Sequence, residues 1–206
     1  DFIEQTEKLF TERPDVNVAT GHVLEDGILT GGLELEHARK VAAMPASGPV
    51  AAATPTLAAY GCNMAIRLEP VYRLGVRFDE NLPLYAWLED WEFCGHLKQQ
   101  APDGEIVYAP ALRGVHMGHR SGRQSGLRLG YSQIVNPVYI ARKGTIPKYY
   151  LYRLMVRNFI ANIYKLLLPN DDVDRIGRLR GNLIGLSDLL SGKAHPKKIE
   201  TMKAGT

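Results

Sequence analysis

The 206-residue sequence predicts an α/β fold that passes into a mainly helical C-terminal extension. Three observations carry that expectation. Short β-type runs alternate with helical patterns through the first half of the chain. Two long helical patterns then occupy residues 149–168 and 175–190. The composition, 45% hydrophobic and 23% charged, suits a packed domain and excludes wholesale disorder.

Each element has a local reason. Asp1 and Glu4 stand at capping-box spacing, and Phe2, Thr6, Leu9 and Phe10 form a helical stripe up to Pro14. Val16, Val18 and Thr20 alternate with Asn17 and Ala19, a short strand expected to stop at Gly21. Residues 34–44 read as a helix, and 45–57, small and proline-containing, as a loop. Residues 58–66 (AAYGCNMAI) read as a buried strand whose Gly61 admits a close neighbour. Glu69-Pro70 opens a short helix that Gly75 ends, and a turn follows over Phe78–Pro83. A helix starts near Asp90. The next strand, Ile106–Ala109, is expected to end at Pro110, and 113–130 to be a loop. Beginning on a helix cap without an initiator Met, the sequence leads one to expect further chain upstream of Asp1.

The net charge of +3 conceals a division. Residues 1–105 carry 17 acidic and 8 basic side chains, whereas 106–206 carry 5 acidic and 17 basic ones. A basic half suits an anionic ligand or surface. The sequence contains no apolar run long enough for a conventional membrane span and opens on no secretory leader. Two cysteines, Cys62 and Cys94, are too few for a disulfide framework or a structural zinc site, and the simplest setting is reduced and cytoplasmic. No nucleic-acid-binding motif occurs, so no nucleic-acid partner is expected. Neither a thiol nucleophile with a His partner nor a nucleophile elbow around Ser121 or Ser125 is present.

Two stretches are suited to chemistry. In LEDWEF (88–93), Glu89 and Asp90 are adjacent at a helix start, Glu92 follows one turn on, and Trp87 and Trp91 flank them. Such carboxylates can divide the work of deprotonating and orienting a hydroxyl, while indoles stack on sugar faces. A plainer reading makes Asp90 a helix cap and both tryptophans core. In GVHMGHRSGRQSG (114–126), His116 and His119 with Arg113, Arg120, Arg123 and Arg128 can hold a diphosphate or help ligate a divalent metal. Here the plainer reading is a solvated basic loop. The helix at 149–168 is basic on one face and apolar on the other. It is either a membrane-surface helix or one whose apolar face packs on its own domain.

Residues 60–93, with a Gly-Cys-Asn strand, a short helix, the turn Gly75-x-x-Phe78-Asp79-Glu80 and the Glu89-Asp90 pair, resemble the C-terminal half of bacterial family 2 glycosyltransferases of the GT-A fold. Residues 1–27 are similar to the segment after that family's metal-binding Asp-x-Asp motif, and 123–144 and 178–199 to its C-terminal extensions. The resemblance implies a partial, Rossmann-like GT-A catalytic domain over 1–130 and a helical basic extension over 131–206. It also implies an inverting transfer from a nucleotide-sugar donor to a glycan or lipid-linked acceptor, in cell-envelope polysaccharide synthesis.

By the same resemblance, Asp90 matches the catalytic base and Glu89 its acidic neighbour. Gly61 and Asn63 match the strand that lines the acceptor side, to which the stacking reading adds Trp87 and Trp91. Arg120 and Arg123 join the diphosphate site from the basic-loop reading, and His116 matches a position that helps hold the diphosphate or a divalent metal, Mn or Mg. That metal's main ligands are expected upstream of residue 1. The chain departs from the family in having no Asp-x-Asp motif except Asp172 and Asp174, late in the sequence. These residues alone are therefore expected to have negligible transferase activity. The other reading is a non-catalytic membrane-surface or assembly module that uses the basic amphipathic helix, peripheral on the inner face of the cytoplasmic membrane.

Overall fold

The computed structural model describes residues 1–28, 31–45, 48, 50–84, 87–118, 125–166 and 173–202. It is mixed α/β, and its chain divides into two compact units, 1–77 with 93–122 and 78–92 with 123–206. This division differs from the expected one at 130. Residues 126–130 already form the first turns of a helix belonging to the second unit, and 78–92 join that unit as well.

The first unit is built on a four-stranded sheet of order β2-β4-β1-β3. Helix α1 (Phe2–Glu12) begins with the expected capping box. Strand β1 (Val16–Asp26) then runs parallel to β4 (Glu105–His116), while β3 (Met64–Ile66) and the two-residue β2 (Thr54–Pro55) pair antiparallel at the flanks. Val16 to Thr20 are all buried, because both sheet faces are covered. On one face Val18 and Ile106 pack with Phe93, Cys94 and Leu97 of α4 (Glu89–Gln100). On the other, Ala19, Val107 and Leu112 pack with Phe2, Leu9 and Phe10 of α1.

Four sequence expectations need correction. Strand β1 does not stop at Gly21, nor β4 at Pro110. At that point the ladder passes from Gly21↔Ala109 to His22↔Arg113, which leaves Pro110, Ala111 and Leu112 in an irregularity where proline's missing N–H costs no pairing. Gly21 is needed there, since a Cβ would collide with the Leu112 carbonyl. Residues 113–116, expected as loop, complete β4, and the strand expected over 58–66 is a 3-10 turn at Gly61–Asn63 followed by β3. Between these elements lie α2 (Leu35–Ala42) and α3 (Leu68–Leu74), the latter closed by Gly75 in the left-handed conformation as its sequence predicts.

The second unit is helical. Helix α5 (Gly126–Lys143) packs against α6 (Lys148–Leu166), α7 (Arg175–Leu190) and the short α8 (Lys198–Thr201). Eleven of the eighteen residues of α5 are buried, so it has no polar face to mark it in the sequence. Glycines bring α5 and α7 close: a Cβ on Gly130 would strike the Arg178 carbonyl, and one on Gly181 the Leu127 carbonyl. The interior is polar. Asn162 Nδ2 donates to Gln133 Oε1 at 2.8 Å and to Asn182 Oδ1 at 2.9 Å, and Asn182 Nδ2 donates to the Gly130 carbonyl at 2.6 Å.

Gly130→Ala and Gly181→Ala are each expected to lower the denaturant midpoint, with a net loss of about 2 kcal/mol from forced separation of the helices. Helix propensity alone favours alanine by ~1 kcal/mol. A rise in stability would therefore show that the helices are not in backbone contact.

Candidate functional site

The acidic pair sits where the sequence places it. Glu89, Asp90 and Glu92 occupy the first turn of α4, where the helix N-terminus favours negative charge. Asp90 Oδ1 accepts the Trp91 backbone N–H at 2.8 Å, and Asp90 and Trp91 are half-buried. The turn is entered through Leu88, a buried residue at φ 75°, which costs a β-carbon-bearing residue about 1–2 kcal/mol. The carbonyl of Trp87 accepts Asn136 Nδ2 at 2.8 Å, tying the approach to α5. Although Glu89 is exposed as a residue, partial desolvation of its carboxyl, and then the charge of Asp90, raise it above the usual glutamate range.

Behind this turn lies a cluster that sequence reasoning missed. Glu92 is fully buried and its Oε1 is 2.6 Å from Lys143 Nζ, which also lies 2.6 Å from Asp79 Oδ2. Tyr139 donates its hydroxyl to Asp79 at 2.8 Å, and the Asn81 backbone N–H donates to the other Asp79 oxygen. Burial by itself would raise Asp79, but the Lys143 ammonium, the Asn81 N–H and the Tyr139 hydroxyl outweigh it and hold Asp79 at about 2. Burial would likewise lower Lys143, and its bonds to the two carboxylates raise it instead. One lysine at the end of α5 thus grips both ends of the segment 79–92 that carries Glu89 and Asp90.

The remaining described candidates collect in the first unit. Gly61, Asn63 and His116 line a cavity of about 280 Å³ together with Arg113 and Gly114. Asn63 is 5% exposed; its Nδ2 donates to the Leu112 carbonyl at 3.3 Å, while its buried Oδ1 finds no hydrogen-bond donor among the described residues. His116 Nδ1 lies 2.8 Å from Asp26 Oδ1, and Tyr60 donates its hydroxyl to Asp26 Oδ2 at 3.0 Å. In a neutral imidazole, a carboxylate acceptor at Nδ1 favours the tautomer with its proton there and its lone pair on Nε2, the one suited to bind a metal.

Asp26 reaches His116 because the parallel ladder pairs them in register, a relation that sequence spacing does not display. No group of three His, Cys, Asp or Glu side chains able to hold a metal occurs among the described residues. Arg120 and Arg123 lie outside them, as does Asp172, while Asp174 caps α7 by accepting the Gly177 N–H at 2.7 Å.

Replacing Lys143 by Met is expected to destabilise the protein by about 3 kcal/mol at neutral pH, since it strands two buried carboxylates. The sign with pH follows from Asp79. Its folded-state value is depressed, so its stabilising contribution is complete above the ordinary 3.8 and is lost as the pH falls toward about 2. The difference between wild type and K143M, measured by urea unfolding, should therefore shrink across that window; a difference constant with pH would contradict the pairing.

Comparison with models of protein families, with characterised proteins and with solved structures finds no match for this chain.

Proposed function

We propose that this chain forms the acceptor and catalytic-base portion of an inverting glycosyltransferase that uses a nucleotide-sugar donor and a glycan or lipid-linked acceptor. The observation that carries the reading is the Glu89–Asp90 pair at the first turn of α4, entered through a strained Leu88 and backed by the Asp79–Lys143–Glu92 cluster. Adjacent carboxylates so presented fit a hydroxyl that must be positioned and deprotonated.

In this reading Asp90 removes the proton from the acceptor hydroxyl as its oxygen attacks the anomeric carbon. The bond to the nucleoside diphosphate breaks on the opposite side, which inverts the configuration. Glu89, whose carboxyl keeps its proton to higher pH than an ordinary glutamate, orients the acceptor beside it. Trp87 and Trp91 supply apolar surface for a pyranose face. Gly61 and Asn63 line the acceptor side, with the unsatisfied Asn63 Oδ1 offered to a sugar hydroxyl.

His116 and Arg113 serve the departing diphosphate, and Arg120 and Arg123 are assigned to it from the basic sequence that follows. The resemblance also brings in a divalent metal, Mn or Mg, which would neutralise charge on the leaving diphosphate. His116 fits as one ligand through Nε2, with Asp26 and Tyr60 holding its ring. The described residues provide no complete ligand set, so the other ligands belong elsewhere.

In the enzyme carrying its donor-binding region, Asp90→Asn should lower the turnover rate by at least about a hundredfold. Nucleotide-sugar affinity, measured by calorimetry, should stay within about twofold because the carboxylate acts on the acceptor. Retained turnover would refute the assignment of the base.

A further inference from the structure

Helices α6 and α7 bury polar groups on their inner sides and leave a second set of apolar residues outside; the inner side of α6 also carries Leu151, Leu154, Met155 and Phe159. On α6 the fully buried positions are Leu151 and Asn162, and Asn162 is only 1% exposed while spending both amide hydrogens on Gln133 and Asn182. Further aliphatic and aromatic side chains point the other way. Tyr149, Val156, Ile160, Ile163 and Tyr164 recur at helical spacing on the outer side, with Ile160 57% exposed. Helix α7 repeats the pattern. Gly181, Asn182, Gly185 and Asp188 face inward, while Ile176, Leu183 and Leu190 face outward, Leu190 at 91%.

The expectation that the apolar face of residues 149–168 packs on its own domain thus holds in part: Leu151, Leu154, Met155 and Phe159 pack inward, while Val156, Ile160, Ile163 and Tyr164 lie on the outer side. The buried amides of Gln133, Asn162 and Asn182 satisfy one another on the inner side.

Charge decides which occupant suits this surface. Lys148–Leu166 contains four basic residues, Lys148, Arg153, Arg157 and Lys165, and no Asp or Glu. Arg153 and Arg157 are exposed beside the apolar stripe, and Arg180 occupies the same position relative to Ile176 and Leu183 on α7. Tyrosines Tyr149, Tyr150 and Tyr152 cluster at one end of α6, each exposed. Aliphatic residues, tyrosines and arginines on one face match the layers of a bilayer interface, with acyl boundary, headgroup level and anionic phosphate in turn. Close helix contact through glycines and interhelical amide bonds is also the packing used where the exterior is lipid. No described helix is long and apolar enough to cross a membrane, so the surface lies on the bilayer.

We infer that the outward face of α6 and α7 docks the protein on an anionic phospholipid bilayer, with α6 in the plane of the interface. This inference does not depend on the proposed transferase reaction. It is tested by co-sedimentation of the 206-residue chain with vesicles of phosphatidylcholine alone and of phosphatidylcholine containing phosphatidylglycerol. Binding is expected to the anionic vesicles and should weaken as salt rises.

Neutralising Arg153 and Arg157 together (Arg153→Gln, Arg157→Gln) should lower the partition coefficient about thirtyfold, roughly fivefold for each charge. Ile160→Ser should lower it severalfold with both arginines in place. All three side chains are exposed, so the unfolding midpoint should not move. As a second readout, Ile160→Trp should show a blue-shifted emission only with anionic vesicles. The inference is overturned if the chain ignores anionic vesicles. It is equally overturned if it self-associates in solution through this face, with Ile160→Ser dissolving the oligomer and no vesicle binding.

Discussion

The arrangement of the candidate catalytic turn depends on one buried interaction, the grip of Lys143 on Asp79 and Glu92. A fully buried Glu92 carboxylate is costly unless a cation reaches it, and Lys143 arrives from the last turn of α5. The same ammonium holds Asp79, thirteen positions upstream, whose other contacts come from Asn81 and Tyr139. The segment between these anchors carries the tryptophans, the strained Leu88 and the Glu89–Asp90 pair. Such a bridge contributes less to net stability than to uniqueness of geometry, because both charges have been taken from water to make it. That use of free energy suits the role proposed for Asp90, a general base held in one position.

A second constraint organises the helical unit. Interhelical amide bonds and glycine contacts fix α5, α6 and α7 to one another, and they use the polar sides of the helices to do so. Apolar residues such as Leu151, Ile134 and Val135 fill the rest of the interior, while Ile160, Leu183 and Leu190 remain on the outside. The asymmetry of charge noted in the sequence acquires a place in the same way: much of the basic half lies on helices whose outer face is both apolar and cationic.

Local signals were legible where local physics decides. The Asp1 capping box, the Gly75 terminator and the start of α4 at the acidic pair all follow from residues within one turn. Signals failed where distant partners decide. Gly21 and Pro110 look like strand terminators, yet each serves a close approach or an irregularity between β1 and β4. Helix α5 escaped notice because burial on nearly every side removes the amphipathic period, and Pro137 within it reads as a breaker. The sequence leaves the two roles of α6 open, and it groups Asn162 with the solvated polar residues because a buried amide resembles a solvated one until its partners Gln133 and Asn182 are known. At the candidate site the acid pair and His116 were visible as residue types in a pattern. The supports Lys143, Asp26 and Tyr60 were not, since each acts from fifty or more positions away, and Asp79 was visible only as part of a turn, without its partner Lys143.

The central claim, that Lys143 fixes the segment bearing the acidic pair, is tested most directly by carboxyl-detected NMR titration of the folded protein and of K143M. In the wild type Asp79 should titrate at about 2 and Glu89 above the ordinary glutamate range. In the variant Asp79 should move upward, and the carboxyl resonances of Glu89 and Asp90 should shift with it as their turn loosens. An Asp79 that titrates at its ordinary value in both proteins, with Glu89 and Asp90 unchanged, would contradict the account.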